Sequence, residues 1–119
     1  MERPKTVHVE KPWGHFDQYA LNTKCTVKIL ACSPGQKLSL QRHSKRDELW
    51  IALDGRATVE LNGEMIFPYE GQEIWLPCGS AHRLGCKESA DGQARIMEIS
   101  FGDFDEGDIE RLEDDYGRK

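Results

Sequence analysis

Three observations on the 119-residue sequence predict an all-β protein. Short apolar and β-branched runs recur between turn residues, as in Cys25–Cys32, Ala57–Leu61 and Ala94–Phe101, the pattern of many short strands. Asp54-Gly55 and Asn62-Gly63 are hairpin signals, because these residues accept the positive φ angles of a two-residue connection. No long stretch carries apolar residues at the period of an amphipathic helix. This length supports a single core, so residues 1–119 are expected to form one domain.

In chain order, residues 6–9 alternate and form a short edge strand, and Pro12 and Gly14 then set a turn around Trp13. Trp13 reads as a lid over one end of a barrel or as a substrate contact, and His8 and His15 as surface residues. Cys25–Cys32 is a strand closed by the Pro34-Gly35 turn. Residues 37–43 follow, with Lys37, Ser39, Gln41 and His43 on one face by period-two geometry. In residues 48–53 the face of Glu48 also carries Trp50 and Ala52, so Leu49, Ile51 and Leu53 point the other way. Such an apolar row must be covered by a second sheet or a second subunit, and a homodimer is expected on it. Ala57–Leu61, 65–67, 71–76 and Ala94–Phe101 complete the strands, and residues 109–112 have room for one short helix in the acidic end.

Composition excludes several classes of function. Twenty-one acidic against 16 basic residues give a net charge of −5, which disfavours general nucleic-acid binding. No apolar run approaches the roughly 20 residues of a membrane helix, and the start MERPKTVHVEK lacks a signal-peptide core. A cytoplasmic protein without membrane association is expected. The four cysteines, Cys25, Cys32, Cys78 and Cys86, include no CxxC pair and read as small hydrophobes rather than disulfide partners.

The chemistry is concentrated in QRHSKRDELW, residues 41–50, and in PCGSAH, residues 77–82. Gln41 and His43 leave one strand face, Glu48 follows a short polar turn, and His82 supplies a second imidazole. These four donors suit one divalent first-row ion such as Zn, Mn, Fe, Co or Ni, with positions left for water or substrate.

The glycine, proline and histidine spacing of these two stretches resembles the paired motifs of the cupin superfamily. PGQKLSLQRHSKRDELW resembles the form PGxxLSLQxHxxRxExW of type II phosphomannose isomerases, in which glutamine stands where histidine is usual. PWG near the start and EGDIERLEDDYGRK at the end match that family too, so the resemblance covers nearly the whole chain. It implies a jelly-roll barrel and an enzyme interconverting mannose 6-phosphate and fructose 6-phosphate. Larger members also carry a nucleotidyltransferase domain, for which 119 residues leave no room.

Such an isomerase needs a base for the proton beside the carbonyl, a cation at the developing enediol charge and donors for the phosphate. Lys37, by resemblance, takes a catalytic or substrate-binding role, and Glu98 is the candidate base. Arg46, Arg83 and Arg118 are candidate phosphate partners, Ser39 shares the ligand face, and Tyr116 is a donor or wall. Two other classes stay open, an iron-dependent oxygenase and a non-enzymatic sugar or metabolite binder.

Overall fold

Eleven strands and no helix make up the computed structural model, which describes all residues 1–119. In chain order they are β1 (Val7–Lys11), β2 (Gly14–Gln18), β3 (Cys25–Cys32), β4 (Leu40–Arg42), β5 (Glu48–Ala52), β6 (Ala57–Leu61), β7 (Glu64–Ile66), β8 (Glu73–Leu76), β9 (His82–Cys86), β10 (Ala94–Phe101) and β11 (Glu110–Glu113). All strand pairs are antiparallel. No helix is long and apolar enough to cross a membrane.

Two sheets face each other, one ordered β3-β10-β5-β8 and the other β11-β4-β9-β6-β7, while β1 and β2 form a separate hairpin. This is the expected all-β jelly roll. Alternation sends Trp50, Ala52, Ile74, Leu76, Leu84 and Ile96 into the space between the sheets, where all are buried. Each fully buried large apolar side chain stabilises the sandwich by about 1.5–3 kcal/mol. Asn62 and Gly63, with φ of 49° and 84°, make the tight β6–β7 turn, as that dipeptide predicts.

The outward row on β5 corrects one expectation. Leu49 and Ile51 are buried together with Ile99 and Phe101, under Tyr19, Ala20 and Trp75 of the same chain. The row therefore needs no second subunit, and the surface assigned to a dimer is filled from within. The exposed apolar residues of that sheet lie instead at its β3 edge, at Val27 and Ile29.

Four local readings also change. Residues 109–112 are not helical, because Glu110–Glu113 pairs with β4 and the Glu110 carboxylate accepts from Arg42 Nε and Nη2 at 2.9 and 3.2 Å. Sheet pairing overrides a helix preference that so short a segment could not sustain alone. Asp54-Gly55 is a corner between sheets rather than a hairpin, since β5 and β6 belong to different sheets. Its Asp54 carboxylate accepts from the backbone N–H groups of Arg56 and Arg95 and holds that bend. The segment after Trp13 is a strand, and Trp13 itself is 74% exposed at the hairpin tip.

The fourth change concerns Lys37. Gln41 pairs with His82, but Lys37 pairs with Gly85, so four steps on one strand oppose three on the other. That extra residue is a bulge. It turns Lys37 to the outer side of the sheet with Gly85, away from the side shared by Gln41 and His82.

Candidate metal centre

The centre is assembled by three backbone devices. Glu48 opens β5 on the face of Trp50, and His82 opens β9 on the face of Leu84. Between Leu76 and His82 the chain turns at Pro77, with Ser80 N–H donating to Pro77 O at 3.0 Å and Gly79 at a φ of 84°. A side chain at Gly79 would be strained in this conformation. Gly79 N–H also donates to His43 O at 2.8 Å, so the turn that carries His82 is tied to the backbone of His43.

His43, Glu48 and His82 are 3%, 1% and 2% exposed. Their inward atoms converge: Glu48 Oε1 lies 3.7 Å from His43 Nε2 and 3.6 Å from His82 Nε2. The opposite ring nitrogens are already engaged. His43 Nδ1 donates to Asp108 O at 2.6 Å and His82 Nδ1 donates to Ser80 O at 3.1 Å. Both rings thus present an Nε2 lone pair to the centre, the arrangement found when a carbonyl orients a metal-binding imidazole. Burial pushes the His82 pKa down against the pull of Glu48, which favours the neutral ring that an ion needs.

Glu48 Oε1 and His82 Nε2 are buried with no hydrogen-bond partner in the protein. Such orphaned groups cost about 1–3 kcal/mol each. An ion with bonds of about 2.0 Å to tetrahedral ligands holds its donors roughly 3.3 Å apart, close to the separations here. Two imidazoles and a carboxylate suit a divalent first-row ion, so the residues fit the implied group.

A second layer fixes the carboxylate. Arg46 Nε donates to Glu48 Oε2 at 2.9 Å and Ser100 Oγ donates to the same atom at 2.8 Å. The Arg46 guanidinium also stacks 4.4 Å from the Phe104 centroid, and its Nη2 donates to His43 Nε2 at 3.2 Å. Glu98 pairs across strands with Trp50, whose Nε1 donates to Glu98 Oε2 at 3.1 Å. It is buried, and that burial followed by the Glu48 charge pushes its carboxyl up to about 7.

The other predicted residues divide into two groups. Gln41 lies beside His82 across β4 and β9, with its Oε1 accepting from the buried Ser39 hydroxyl at 2.9 Å. Lys37, Tyr116 and Arg118 gather elsewhere, along a cavity of about 350 Å³ that Leu38 also lines. Tyr116 donates its hydroxyl to Gln36 Oε1, while Arg118 clasps Asp114 through Nε and Nη2, both at 2.9 Å. Arg83 is buried behind the sheet, donating to Leu38 O at 2.8 Å and to Glu113 Oε2 at 3.1 Å. Those contacts brace the β9 and β11 region and set it apart from the centre.

Two residues escaped the sequence reading. Asp108 receives His43 on its carbonyl, and its carboxylate accepts from Ser44 N and Oγ and from Lys45 N at 2.8–2.9 Å. Arg111 pairs with Gln41, on the sheet side of His82, and its Nε is buried without a partner. Both stand in the tail block EGDIERLEDDYGRK, whose resemblance was the available signal.

The chain resembles known proteins in sequence and in fold. A family model described as mannose-6-phosphate isomerase C-terminal matches residues 2–114. The chain is 38% identical over 111 residues to the alginate biosynthesis protein AlgA of Pseudomonas aeruginosa, covering 92% of this chain and 23% of that protein. Against the xanthan biosynthesis protein XanB of Xanthomonas campestris the identity is 37%, with 92% and 23% covered. The mannose-1-phosphate guanylyltransferase ManC of Salmonella typhimurium is 35% identical, over the same shares. The chain thus spans about a quarter of the length of these curated relatives. Among solved structures, the capsular polysaccharide assembling protein CapF of Staphylococcus aureus aligns with a TM-score of 0.63 at 16% identity, covering 92% of this chain and 33% of that one. KdgF from Halomonas sp. aligns with a TM-score of 0.62 at 17% identity, covering 73% and 76%. These structural likenesses establish the fold.

Proposed function

This chain belongs to the mannose-6-phosphate isomerase C-terminal family, and from that premise we propose that it is a metal-dependent isomerase interconverting mannose 6-phosphate and fructose 6-phosphate. The observation that carries the proposal is the convergence of two Nε2 lone pairs and the orphaned Glu48 oxygen in one buried centre. His43, Glu48 and His82 would hold a divalent ion such as Zn, Mn, Fe, Co or Ni, with Gln41 beside them as the fourth donor. When bound, such an ion supplies Lewis acidity toward the carbonyl and hydroxyl oxygens of a sugar.

The remaining work belongs to the chain itself. Glu98 takes the proton from the carbon beside the carbonyl and returns it to the carbonyl carbon, a task suited to a carboxyl raised to about 7, while the hydroxyl proton passes from the second oxygen to the first. Trp50 holds Glu98 Oε2 by a hydrogen bond, which fixes the orientation of the base. Arg46 steadies Glu48 and, by turning its Nη2 from His43, can meet an anionic oxygen of the substrate. Ser39 orients the Gln41 amide through the bond to its Oε1. Lys37, Tyr116 and Arg118 stand along one cavity apart from the centre, so they are not proposed to touch a sugar held at the ion. Arg83 is proposed to act on substrate only through the strands it braces.

We further propose that residues 1–119 work as one domain in the cytoplasm, where four unpaired cysteines are stable as thiols. A homodimer is proposed through the exposed Val27 and Ile29 of β3, an edge strand.

The experiment is conversion of mannose 6-phosphate by protein reconstituted with each candidate ion, run beside an oxygen electrode. Fructose 6-phosphate should form without oxygen uptake. Oxygen consumption coupled to substrate loss would favour the oxygenase class, and saturable binding without conversion would favour a sugar-phosphate binder.

A further inference from the structure

The β1–β2 hairpin carries a second gathering of donor groups, far simpler in construction than the buried one. Its register sets His8 opposite Asp17 and Glu10 opposite His15. Residues two apart on a strand share a face, and paired residues share it too. All four side chains therefore stand on one side of the ribbon, while Val7, Val9, Phe16 and Gln18 stand on the other.

The donors are already in contact. His8 Nδ1 lies 2.7 Å from Asp17 Oδ1 and His8 Nε2 lies 2.7 Å from Glu10 Oε1. His15 Nε2 is 3.8 Å from Asp17 Oδ2, and the two imidazole centroids are 4.6 Å apart. One donor atom from each of His8, Glu10 and His15 falls within 4.8 Å of the others. A cluster made only of carboxylates would be an ordinary solvated surface. Two imidazoles in the same cluster add the nitrogen donors that a borderline ion selects.

We propose that this hairpin face is a second divalent-metal site, in which His8 Nε2, Glu10 and His15 hold an ion of the zinc, copper or nickel class while Asp17 orients His8 through its Nδ1. Two carboxylates and two neutral rings carry a formal charge that cancels that of the ion. All four groups are at least a third exposed, so the ion enters from solvent without opening the fold.

The site also gives the hairpin a structural role. A two-stranded ribbon is marginally stable alone, and here it forms its own sheet. An ion bound by both strands cross-links them beyond their backbone hydrogen bonds.

The test uses the full chain and zinc as the probe. Bound zinc is counted after dialysis against micromolar free zinc, for the wild type and for H8A/H15A, with circular dichroism confirming that both are folded. The double variant should bind one equivalent fewer, whatever the buried centre holds, so this outcome stands apart from the isomerase reading. In parallel, zinc should slow amide exchange across Val7–Gln18 in the wild type and leave that exchange unchanged in H8A/H15A. Equal zinc content in the two proteins, or hairpin exchange in the wild type that ignores zinc, would overturn the proposal.

Discussion

The chain brings imidazoles and carboxylates together twice, and the two places treat the same side chains in opposite ways. At the buried centre each histidine gives its Nδ1 proton to a backbone carbonyl and turns Nε2 inward, bare on His82 and met by Arg46 on His43. On the hairpin, carboxylates occupy both nitrogens of His8, and those of Glu10 and Asp17 hold its pKa above the usual value. Carbonyl partners therefore fix the tautomer that turns Nε2 to the centre, with burial favouring the neutral His82 ring, whereas the carboxylate partners of His8 stabilise the proton that a metal must displace. Burial deepens the contrast, since an orphaned group is costly inside and cheap in water.

The largest effect is expected from H82A. It removes a buried donor that no neighbour replaces, so affinity for zinc at the centre should fall by more than the roughly 10–100-fold expected for loss of an outer partner. Competition against a chromogenic chelator measures it. Unchanged affinity would mean that the buried triad is a hydrogen-bonded cluster and nothing more.

Glu98 gives the next effect, through pH. Its folded pKa is about 7 against an ordinary value of 4.5, so between those values the folded state keeps a proton that the unfolded chain releases. Stability then falls as pH rises through that window and levels off above it. In chelator-treated protein, the wild type should lose roughly 2–3 kcal/mol more than E98Q between about pH 5 and about pH 8. Denaturant midpoints report the difference. Parallel pH profiles would place Glu98 in a wetter setting than its 6% exposure indicates.

A smaller effect is expected from D108A. The backbone acceptor for His43 remains, but the carboxylate that gathers Ser44 and Lys45 is lost. Zinc affinity should drop about tenfold, near the lower end for an outer partner, and D108N should recover part of it. An unaltered affinity would show that the carbonyl alone orients the ring.

Much of this contrast was legible in the residues. Alternation located Cys25–Cys32, Ala57–Leu61 and Ala94–Phe101 without error, because strands packed on one side must alternate. The same rule failed at Lys37, since a bulge depends on how many residues the partner strand contributes, and one strand's pattern cannot record that. Residues 109–112, with room for a short helix, lie instead along the open edge of β4, which decided their conformation. The row of Leu49 and Ile51 was read correctly as apolar, but its cover came from Tyr19 and Ala20, which carry no periodic signal. At the centre, motif spacing brought out His43, Glu48 and His82, whereas Asp108 acts through its carbonyl, an atom that every residue possesses.

The most direct measurement is turnover of mannose 6-phosphate by chelator-treated protein as a divalent ion is added back, compared between the wild type and H43A. Both proteins must first be shown by circular dichroism to be folded. Fructose 6-phosphate formation should return in the wild type with one equivalent at the buried centre and stay at background in H43A. Restored turnover in H43A at the wild-type ion concentration, or full activity of the wild type in the presence of chelator, would contradict the account.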